Sequence, residues 1–295
     1  MQTKNKTTNT KKIKINIAKS SGFCFGVRRA INTCLQLSSS KKSICVLGDI
    51  VHNNFVVEKL AKKGIKKIAK IYKTQNSVLI ISAHGAPKQI FTKARQSGYK
   101  IIDATCPKVK DIYRISRRLE KTNKVIIIGD KNHEEVKGIA GQLRKKPITI
   151  ESDHNLPINK LKRIKKAAVV TQSTQTMYNI NRIMTRLKKI IPSAKLYSTV
   201  CRTTLIKQAE IRTLPKKNNL ILIVGSATSA NTRRLYEISR SINKKTYWIE
   251  NSKSIKTNWF KNIKCVGIMA GASTPDEIVA SIVTRLKQLS SSNPA

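Results

Sequence analysis

Lys100-Ile-Ile-Asp-Ala-Thr-Cys106-Pro-Lys-Val109 is an apolar extended run, a short loop with a cysteine, and the start of a helical pattern. The same order recurs twice, in Ile13-Lys-Ile-Asn-Ile-Ala-Lys-Ser-Ser-Gly-Phe-Cys24-Phe-Gly-Val27 and in Lys195-Leu-Tyr-Ser-Thr-Val-Cys201-Arg-Thr-Thr204. If the chain consists of three similar units, the three cysteines occupy equivalent places and converge on one axis. Three converging thiolates suit a metal centre that keeps one position open.

Two other kinds of loop also occur three times. An apolar run that ends in glycine leads into a polar loop and a helical pattern in segments 43–54, 124–135 and 220–231. A second polar loop follows the apolar runs at 78–82, 167–171 and 265–269. Short β-branched runs followed by helices are typical of buried parallel strands. Right-handed crossovers then place all these loops at the carboxyl edges of the sheets, where ligands bind.

The repeats predict an α/β fold of three small α/β domains, with mainly parallel sheets arranged as a pseudo-threefold trefoil that points the polar loops at one central cavity. We expect a disordered basic tail at 1–12 and domains at 13–105, 106–200 and 201–295. No apolar run approaches the roughly 18 residues of a membrane-spanning helix. We therefore expect a soluble, cytoplasmic protein that does not bind membranes.

The charge of the chain is strongly basic. Its 59 Lys and Arg residues against 15 Asp and Glu give a net charge of +44. Such a charge is typical of a surface for nucleic acid or an acidic partner. However, the lysines are spread along the whole chain, and Lys, Ile and Asn all have A/T-rich codons, which favours compositional drift. An aromatic content of 5% also argues against a platform that stacks bases.

The six cysteines do not resemble a secreted disulfide framework, and no Cys-x-x-Cys pair occurs. Cys34 lies on a helical stripe, and Cys45 and Cys265 lie in apolar strands, so we expect all three to be buried. The other three cysteines lie in loops, where function concentrates. An iron–sulfur cluster and a catalytic zinc both fit three thiolates. The cluster is favoured, because zinc sites often use Cys or His pairs at short spacing.

Polar residues in the neighbouring loops suit a diphosphate. Three of the four histidines stand in strand-to-helix loops, namely His52, His84 and His133. Histidine can donate to phosphate and gains charge beside an anion. Ser229, Asn231 and Ser273 come just before helices, whose first N–H groups also favour anions.

One acidic residue is expected to face this cavity. Glu135 follows His133 by two residues, and it is interpreted either as a carboxylate in the first turn of a helix or as a proton donor. A reduction that expels hydroxide requires such a donor. Thr174 is expected to position the donor or the leaving hydroxyl.

Taken together, the motifs resemble one known family. They occur in this order: Gly22-Phe-Cys24-Phe-Gly-Val, Val51-His52-Asn-Asn-Phe-Val-Val, Ser82-Ala-His84-Gly, Asp103-Ala-Thr-Cys106-Pro-Lys-Val, His133-Glu-Glu135-Val, Thr171-Gln-Ser-Thr174, Gly225-Ser with Ser229-Ala-Asn231, and Ala270-Gly-Ala-Ser273-Thr-Pro. As an ordered set from about Ile13 to Val283, they resemble the 4-hydroxy-3-methylbut-2-enyl diphosphate reductases, which catalyse the last step of the methylerythritol phosphate route to isoprenoid precursors.

The resemblance implies an oxidoreductase with one oxygen-sensitive [4Fe–4S] cluster per chain, three cysteine ligands and one open iron. It implies reductive removal of the substrate hydroxyl to give isopentenyl and dimethylallyl diphosphate, with an acidic ferredoxin or flavodoxin as electron donor. The implied metal ligands are Cys24, Cys106 and Cys201. The implied catalytic residues are Glu135, His133 and Thr174, and those that hold substrate are His52, His84, His133, Thr174, Ser229, Asn231 and Ser273.

The sequence departs from the family pattern at a few positions. Ala230 stands where a second serine is typical, which removes one hydroxyl from the expected diphosphate site. Lys207 replaces a typical Arg, and Glu134 adds a carboxylate beside His133. Two other functions stay open: a basic nucleic-acid-binding protein on a retained enzyme fold, although no specific nucleic acid is expected, and a zinc hydrolase of a phosphorylated substrate.

Overall fold

The computed structural model describes residues 13–40 and 42–292, so the predicted tail at 1–12 lies outside the described residues. The chain divides into two compact units. One contains the described residues 13–23 and 206–292, and the other is Cys24–Leu205. Within the described ranges, no helix has both the length and the apolar character that crossing a bilayer requires.

The described residues form strands and helices that alternate along most of the chain. The strands are β1 (Lys14–Ile17), β2 (Ser43–Leu47), β3 (Ile65–Ile68), β4 (Ser77–Ile81), β5 (Tyr99–Asp103), β6 (Lys124–Ile128), β7 (Ile148–Ile150), β8 (Ala167–Thr171), β9 (Lys195–Leu196), β10 (Leu220–Val224), β11 (Thr246–Ile249) and β12 (Cys265–Ala270). The helices are α1 (Phe25–Leu37), α2 (Asn54–Ala61), α3 (Lys88–Gln96), α4 (Pro107–Leu119), α5 (Glu134–Ala140), α6 (Ile158–Leu161), α7 (Met177–Ile190), α8 (Arg202–Thr213), α9 (Ala230–Ile242) and α10 (Asp276–Ser292).

The strands form three four-stranded sheets in the orders β1-β12-β10-β11, β5-β4-β2-β3 and β9-β8-β6-β7. All the pairings are parallel. The predicted α/β class with parallel sheets is therefore confirmed. Parallel neighbours require crossover connections, and the helices between successive strands provide most of them.

The same strand order repeats in each sheet, starting from an edge strand that leads to a cysteine. The edge strands β1, β5 and β9 precede Cys24, Cys106 and Cys201. The second strand in each order leads to the second polar loop, and the third leads to the loop after the glycine. The threefold recurrence in the sequence thus corresponds to three sheets of equivalent strand order.

The first strand belongs to a different sheet from the one that its sequence position indicates. The prediction placed β1 in the domain 13–105, but β1 pairs in parallel with β12, from Lys14 with Cys265 to Ile17 with Ile268. In each sheet, the strand before a cysteine occupies the edge position next to the strand of the second polar loop. For the strand before Cys24, that neighbour is the C-terminal strand β12. The domain boundaries near 105 and 200 stay a prediction.

Helices cover both faces of the central strands, which explains the continuous apolar runs. In the first sheet, Leu222 and Ile268 pack on α10 through Ile282 and Leu286. On the opposite face, Ile221, Ile223 and Met269 pack against Leu235 of α9. The second and third sheets have cores of the same kind.

Two of the three cysteines outside the repeated loops are buried, as expected. Cys34 lies on the buried face of α1 and Cys45 lies in β2. Burial raises the pKa of the Cys34 thiol to about 12, so this side chain stays neutral. The prediction was wrong for Cys265, which is only partly buried because it is the first residue of β12.

Two side chains about one turn apart on α8 bind the backbone of the segment that directly precedes Phe23 and Cys24. The ammonium of Lys207 donates to the carbonyls of Ser20, Gly22 and Ala270, and its side chain is 1% exposed. The carboxylate of Glu210 accepts from the backbone N–H of Ser20 at 2.9 Å and from that of Lys19 at 2.5 Å. The carbonyls and the N–H groups of this short segment are therefore both fixed. The lysine at this departure from the family pattern has a structural role.

We expect Lys207→Met to lower the free energy of unfolding by roughly 2 to 4 kcal/mol, because three carbonyl acceptors lose a charged donor. Lys207→Arg keeps the charge and should cost less. Chemical denaturation measures both effects. Lys244→Met, at an exposed lysine in the same unit, is the matched control and should leave the stability almost unchanged. Equal effects at 207 and 244 would contradict a role for the three carbonyl contacts.

Candidate active site

The three loop cysteines each stand at the beginning of a helix. Cys24 and Cys106 are the N-cap residues of α1 and α4, and Cys201 directly precedes α8. All three are partly buried free thiols in the unit Cys24–Leu205. The first N–H groups of a helix and its dipole stabilise a thiolate, which is the form that binds metal.

These thiols lie close enough to interact electrostatically. Burial raises the pKa of Cys106, and the neighbouring Cys24 and Cys201 raise it further. The backbone N–H groups of Lys108 and Val109, at the start of α4, act in the opposite direction. The structure therefore places Cys24 and Cys201 near Cys106, and three neighbouring free thiols are the donor set that an iron–sulfur cluster with three thiolate ligands requires.

A glycine permits the close approach of two cysteine loops. A Cβ atom on Gly26 would lie 2.5 Å from the Sγ of Cys106, well inside van der Waals contact. Gly26 is the second residue of α1, so the chain that carries Cys24 passes directly over the thiol of Cys106. Any larger residue at position 26 would push these two loops apart.

Backbone hydrogen bonds join the cysteine loops to the other polar loops of the same unit. The N–H of Cys106 donates to the carbonyl of Ala83 at 3.0 Å, beside His84. The N–H of Cys201 donates to the carbonyl of Ser173 at 2.9 Å. These two backbone hydrogen bonds therefore fix the loops of Cys106 and Cys201 relative to the loops that carry His84 and Thr174.

Three imidazoles form a cluster at the carboxyl ends of β2, β4 and β6. The rings of His52 and His84 are stacked with centroids 4.2 Å apart. The ring of His133 meets them edge-on, at 5.2 Å from His52 and 5.6 Å from His84. The structure thus places the three predicted histidines together.

Their environment decides which nitrogens can donate to an anion. The pKa of His84 is well below its usual range, first because the ring is buried and then because His52 and His133 are close. Its Nδ1 is buried and has no hydrogen-bond partner among the described residues. The Nδ1 of His133 accepts from the N–H of Glu135 at 3.1 Å, so the neutral ring of His133 carries its proton on Nε2. The cluster can therefore offer ring N–H donors to an anion.

Glu134 adds a carboxylate to the histidine cluster. Its Oε2 lies 3.2 Å from the Nε2 of His52. This contact lowers the pKa of Glu134 to about 2, although partial burial acts in the opposite direction. Ligand atoms of Glu134, His52 and His133 all lie within 4.8 Å of one another, a spacing that can hold a metal ion. This is the observation that favours the zinc alternative.

Glu135 lies on the buried side of α5 and is 3% exposed. Its Oε1 accepts from the N–H of Ser173 at 2.6 Å, and its Oε2 accepts from the Oγ of the same serine at 2.7 Å. Both carboxylate oxygens are thus held by one residue of the loop after β8. Ser173 is not among the residues predicted from the sequence, although it lies inside the motif Thr171–Thr174.

The hydroxyl of Thr174 has another partner. The amide of Gln172 donates to the Oγ1 of Thr174 at 3.0 Å, and its carbonyl oxygen accepts from the N–H of Asp130 at 2.9 Å. Gln172 is fully buried, so it fixes this hydroxyl relative to the loop after β6. The hydroxyl that contacts Glu135 is that of Ser173, whereas the role of Thr174 stays a prediction.

The remaining candidate residues lie in the unit that contains β10 and β12. Ser229 is the N-cap of α9, and its Oγ accepts from the N–H of Thr232 at 3.3 Å. The Nδ2 of Asn231 is buried and has no partner among the described residues. The loop that carries the buried Ser273 follows β12, and the N–H of Gly271 donates to the carbonyl of Val224 at 2.8 Å. This edge of the sheet therefore holds an amide donor that has no acceptor within residues 13–40 and 42–292.

Comparisons with known proteins agree with this geometry. The family model for the LytB protein matches residues 15–287. A 4-hydroxy-3-methylbut-2-enyl diphosphate reductase from Dictyoglomus turgidum is 39% identical over 282 residues, which cover 94% of this chain and 97% of that relative.

Solved structures give the same result. A structure of (E)-4-hydroxy-3-methyl-but-2-enyl diphosphate reductase, the terminal enzyme of the non-mevalonate pathway, is similar with a TM-score of 0.69 at 34% identity, covering 94% of this chain and 99% of that one. A reductase structure from Plasmodium falciparum has a TM-score of 0.83 at 29% identity, covering 92% of this chain and 87% of that one. The cysteine and histidine motifs, the three parallel sheets and these matches together show that the chain belongs to the LytB family.

Proposed function

We propose that this chain reductively removes the hydroxyl of 4-hydroxy-3-methylbut-2-enyl diphosphate, the last step of the non-mevalonate route to isoprenoid precursors. The observation that carries the proposal is the proximity of the thiols of Cys24, Cys106 and Cys201 at the starts of three helices. The nearby polar loops supply what such a reaction needs besides electrons, namely anion donors and a buried carboxyl group.

The three thiolates would hold one [4Fe–4S] cluster with one open iron. When bound, the cluster supplies the electrons and a site for the substrate hydroxyl. The chain itself would position the three thiolates that hold the cluster. Gly26 lets two cysteine loops approach, and the N–H groups of Lys108 and Val109 favour the thiolate of Cys106.

The diphosphate would be held by His52, His84 and His133 in the unit Cys24–Leu205, and Ser229, Asn231 and Ser273 are the candidate anion donors of the other unit. The Nε2–H of His133 is fixed as a donor by its Nδ1 contact. The Nδ2 of Asn231 is a buried donor without an acceptor in the described part of the chain, and satisfying it with a phosphate oxygen would remove a desolvation cost. Ala230 offers only its backbone N–H here.

Protons would reach the substrate hydroxyl through Glu135 and Ser173. The separation of 2.7 Å between the two side-chain oxygens allows either one to be the donor, so a protonated Glu135 can pass its proton through the serine hydroxyl. Two electrons and two protons convert the hydroxyl to water and place one hydrogen on the allylic unit. A hydrogen at one end gives isopentenyl diphosphate, and at the other end dimethylallyl diphosphate.

Iron analysis tests the proposed cluster. After anaerobic purification, wild type should contain about four irons and four acid-labile sulfides per chain, with absorbance near 400 nm. Cys106→Ser should lose most of the iron because one thiolate ligand is removed. Cys265→Ser, at a partly buried cysteine outside the three loops, should keep it. A colourless, iron-free wild type that binds zinc would favour the hydrolase instead, with Glu134, His52 and His133 as candidate ligands.

Replacing the buried carboxyl group tests proton delivery. Glu135→Gln should lower kcat by about 10²- to 10⁴-fold, because the proton donor is lost while iron content stays unchanged. Glu134→Gln makes the same chemical change at the exposed neighbour and should leave kcat within about tenfold of wild type. Steady-state kinetics with reduced methyl viologen measures both. Equal losses at the two positions would contradict the assignment to Glu135.

The serine that contacts Glu135 gives a separate test. Ser173→Ala removes the hydroxyl but keeps the backbone N–H bond to the carboxylate, so kcat should fall by about 10-fold or more with little change in KM. Ser173→Thr restores a hydroxyl and should recover most of the rate. Thr174→Val removes the neighbouring hydroxyl for comparison. A larger loss with Thr174→Val than with Ser173→Ala would return the role to Thr174.

A further inference from the structure

A basic groove lies in the unit Cys24–Leu205, outside the loops of the candidate active site. It has a volume of about 1090 Å³ and is lined by α3, by the end of α4 and by the loop after α5. Six lysine and arginine side chains and one glutamate are among its lining residues: Lys88, Lys93, Arg117, Lys121, Arg144, Lys145 and Glu120. We call this surface the basic groove.

The groove is held in shape by backbone contacts between its walls. The N–H of Lys88 donates to the carbonyl of Gly141 at 3.2 Å. The carboxylate of Glu120 accepts from the N–H of Lys145 at 2.6 Å. The only acid among these charged groups is therefore already engaged with the backbone, and the charge presented by the groove is strongly positive.

The basic groove continues towards the cluster ligands. A smaller depression shares Lys88, Arg117 and Gln142 with it and reaches Thr105, which directly precedes Cys106. Helix α4 begins immediately after Cys106 and carries Lys110 and Arg117 along this surface. A partner bound here would thus lie against the helix that starts at a proposed cluster ligand.

Helix stabilisation explains only some of these cations. Lys93 and Arg117 lie in the last turns of α3 and α4, where a positive charge is favourable. Lys88 is the first residue of α3, where a positive charge is unfavourable, and Arg144 lies in a loop. A helix requirement therefore does not account for the concentration of charge in the groove.

We propose that the basic groove docks a small acidic electron-transfer protein that reduces the enzyme. This proposal rests on the proposed function, since reduction of each substrate consumes two electrons and two protons that must come from outside. A donor that carries one electron would be oxidised at each docking event, and two events would supply the pair. Opposite charges on donor and groove would steer encounter and raise the association rate by 10-fold or more at low salt.

Charge reversal tests the surface with a matched control. The groove variant combines Lys93→Glu with Arg117→Glu and so reverses two charges of the basic groove. The control variant combines Lys160→Glu with Arg163→Glu and makes the same charge change in another basic cavity of this unit, which is also lined by Lys124, Lys131 and Lys146. All four substituted side chains are exposed, and thermal unfolding checks that each variant folds. The probe is a reduced acidic ferredoxin, and its binding by fluorescence anisotropy and its electron transfer by stopped flow are measured at several ionic strengths.

We expect the groove variant to lose about tenfold or more in the second-order rate constant and in ferredoxin affinity at low salt, with the difference fading as salt rises. The control should lose about twofold or less, and reduction by methyl viologen should be unchanged in both. Equal losses in the two variants, or none in the groove variant, would overturn the docking site. A wild type without turnover on methyl viologen would instead contradict the proposed function, while the binding measurement would still decide the groove.

Discussion

The close approach of three thiols is the constraint on which the candidate site depends. Burial raises the pKa of the Cys106 thiol, and the nearby thiols of Cys24 and Cys201 raise it further. The protein offsets part of this cost at Cys106 through the backbone N–H groups of Lys108 and Val109, and each of the three cysteines stands at the beginning of a helix, where the dipole favours a thiolate. Parallel strands that all end at the same edge of their sheets make this possible, because each delivers its loop to the start of a helix.

The repeated loops made most of this arrangement predictable from the sequence. Strand and helix positions follow from short β-branched runs and helical patterns, which are local signals. The pairing of β1 with β12 is not local. Nothing in Lys14–Ile17 distinguishes a strand of the first sheet from a strand that closes the last one, and only the repeated strand order shows that the cysteine strand comes at the edge.

The contacts of Glu135 show a finer limit of sequence reasoning. The end of β8 and the loop after it offer hydroxyls at Thr171, Ser173 and Thr174, and the motif alone does not say which one faces the carboxylate. The choice depends on Gln172, whose buried amide holds Thr174 and leaves Ser173 against Glu135. Side-chain direction in this irregular loop is set by such contacts, since Gln172 itself is held by the N–H of Asp130 in the loop after β6, so it cannot be inferred from periodicity.

Glu134 gives the histidine cluster an anionic partner from within the protein. In the structure its carboxylate lies against His52, where a bound diphosphate would also seek a donor. The side chain of Glu134 is 53% exposed, so it can turn into solvent at modest cost, whereas the side chain of His52 is 12% exposed and stays in place. An anion with two or more charges gains more from the cluster than a single carboxylate does. A strongly charged anion such as the proposed diphosphate would therefore replace this contact more readily than a singly charged one.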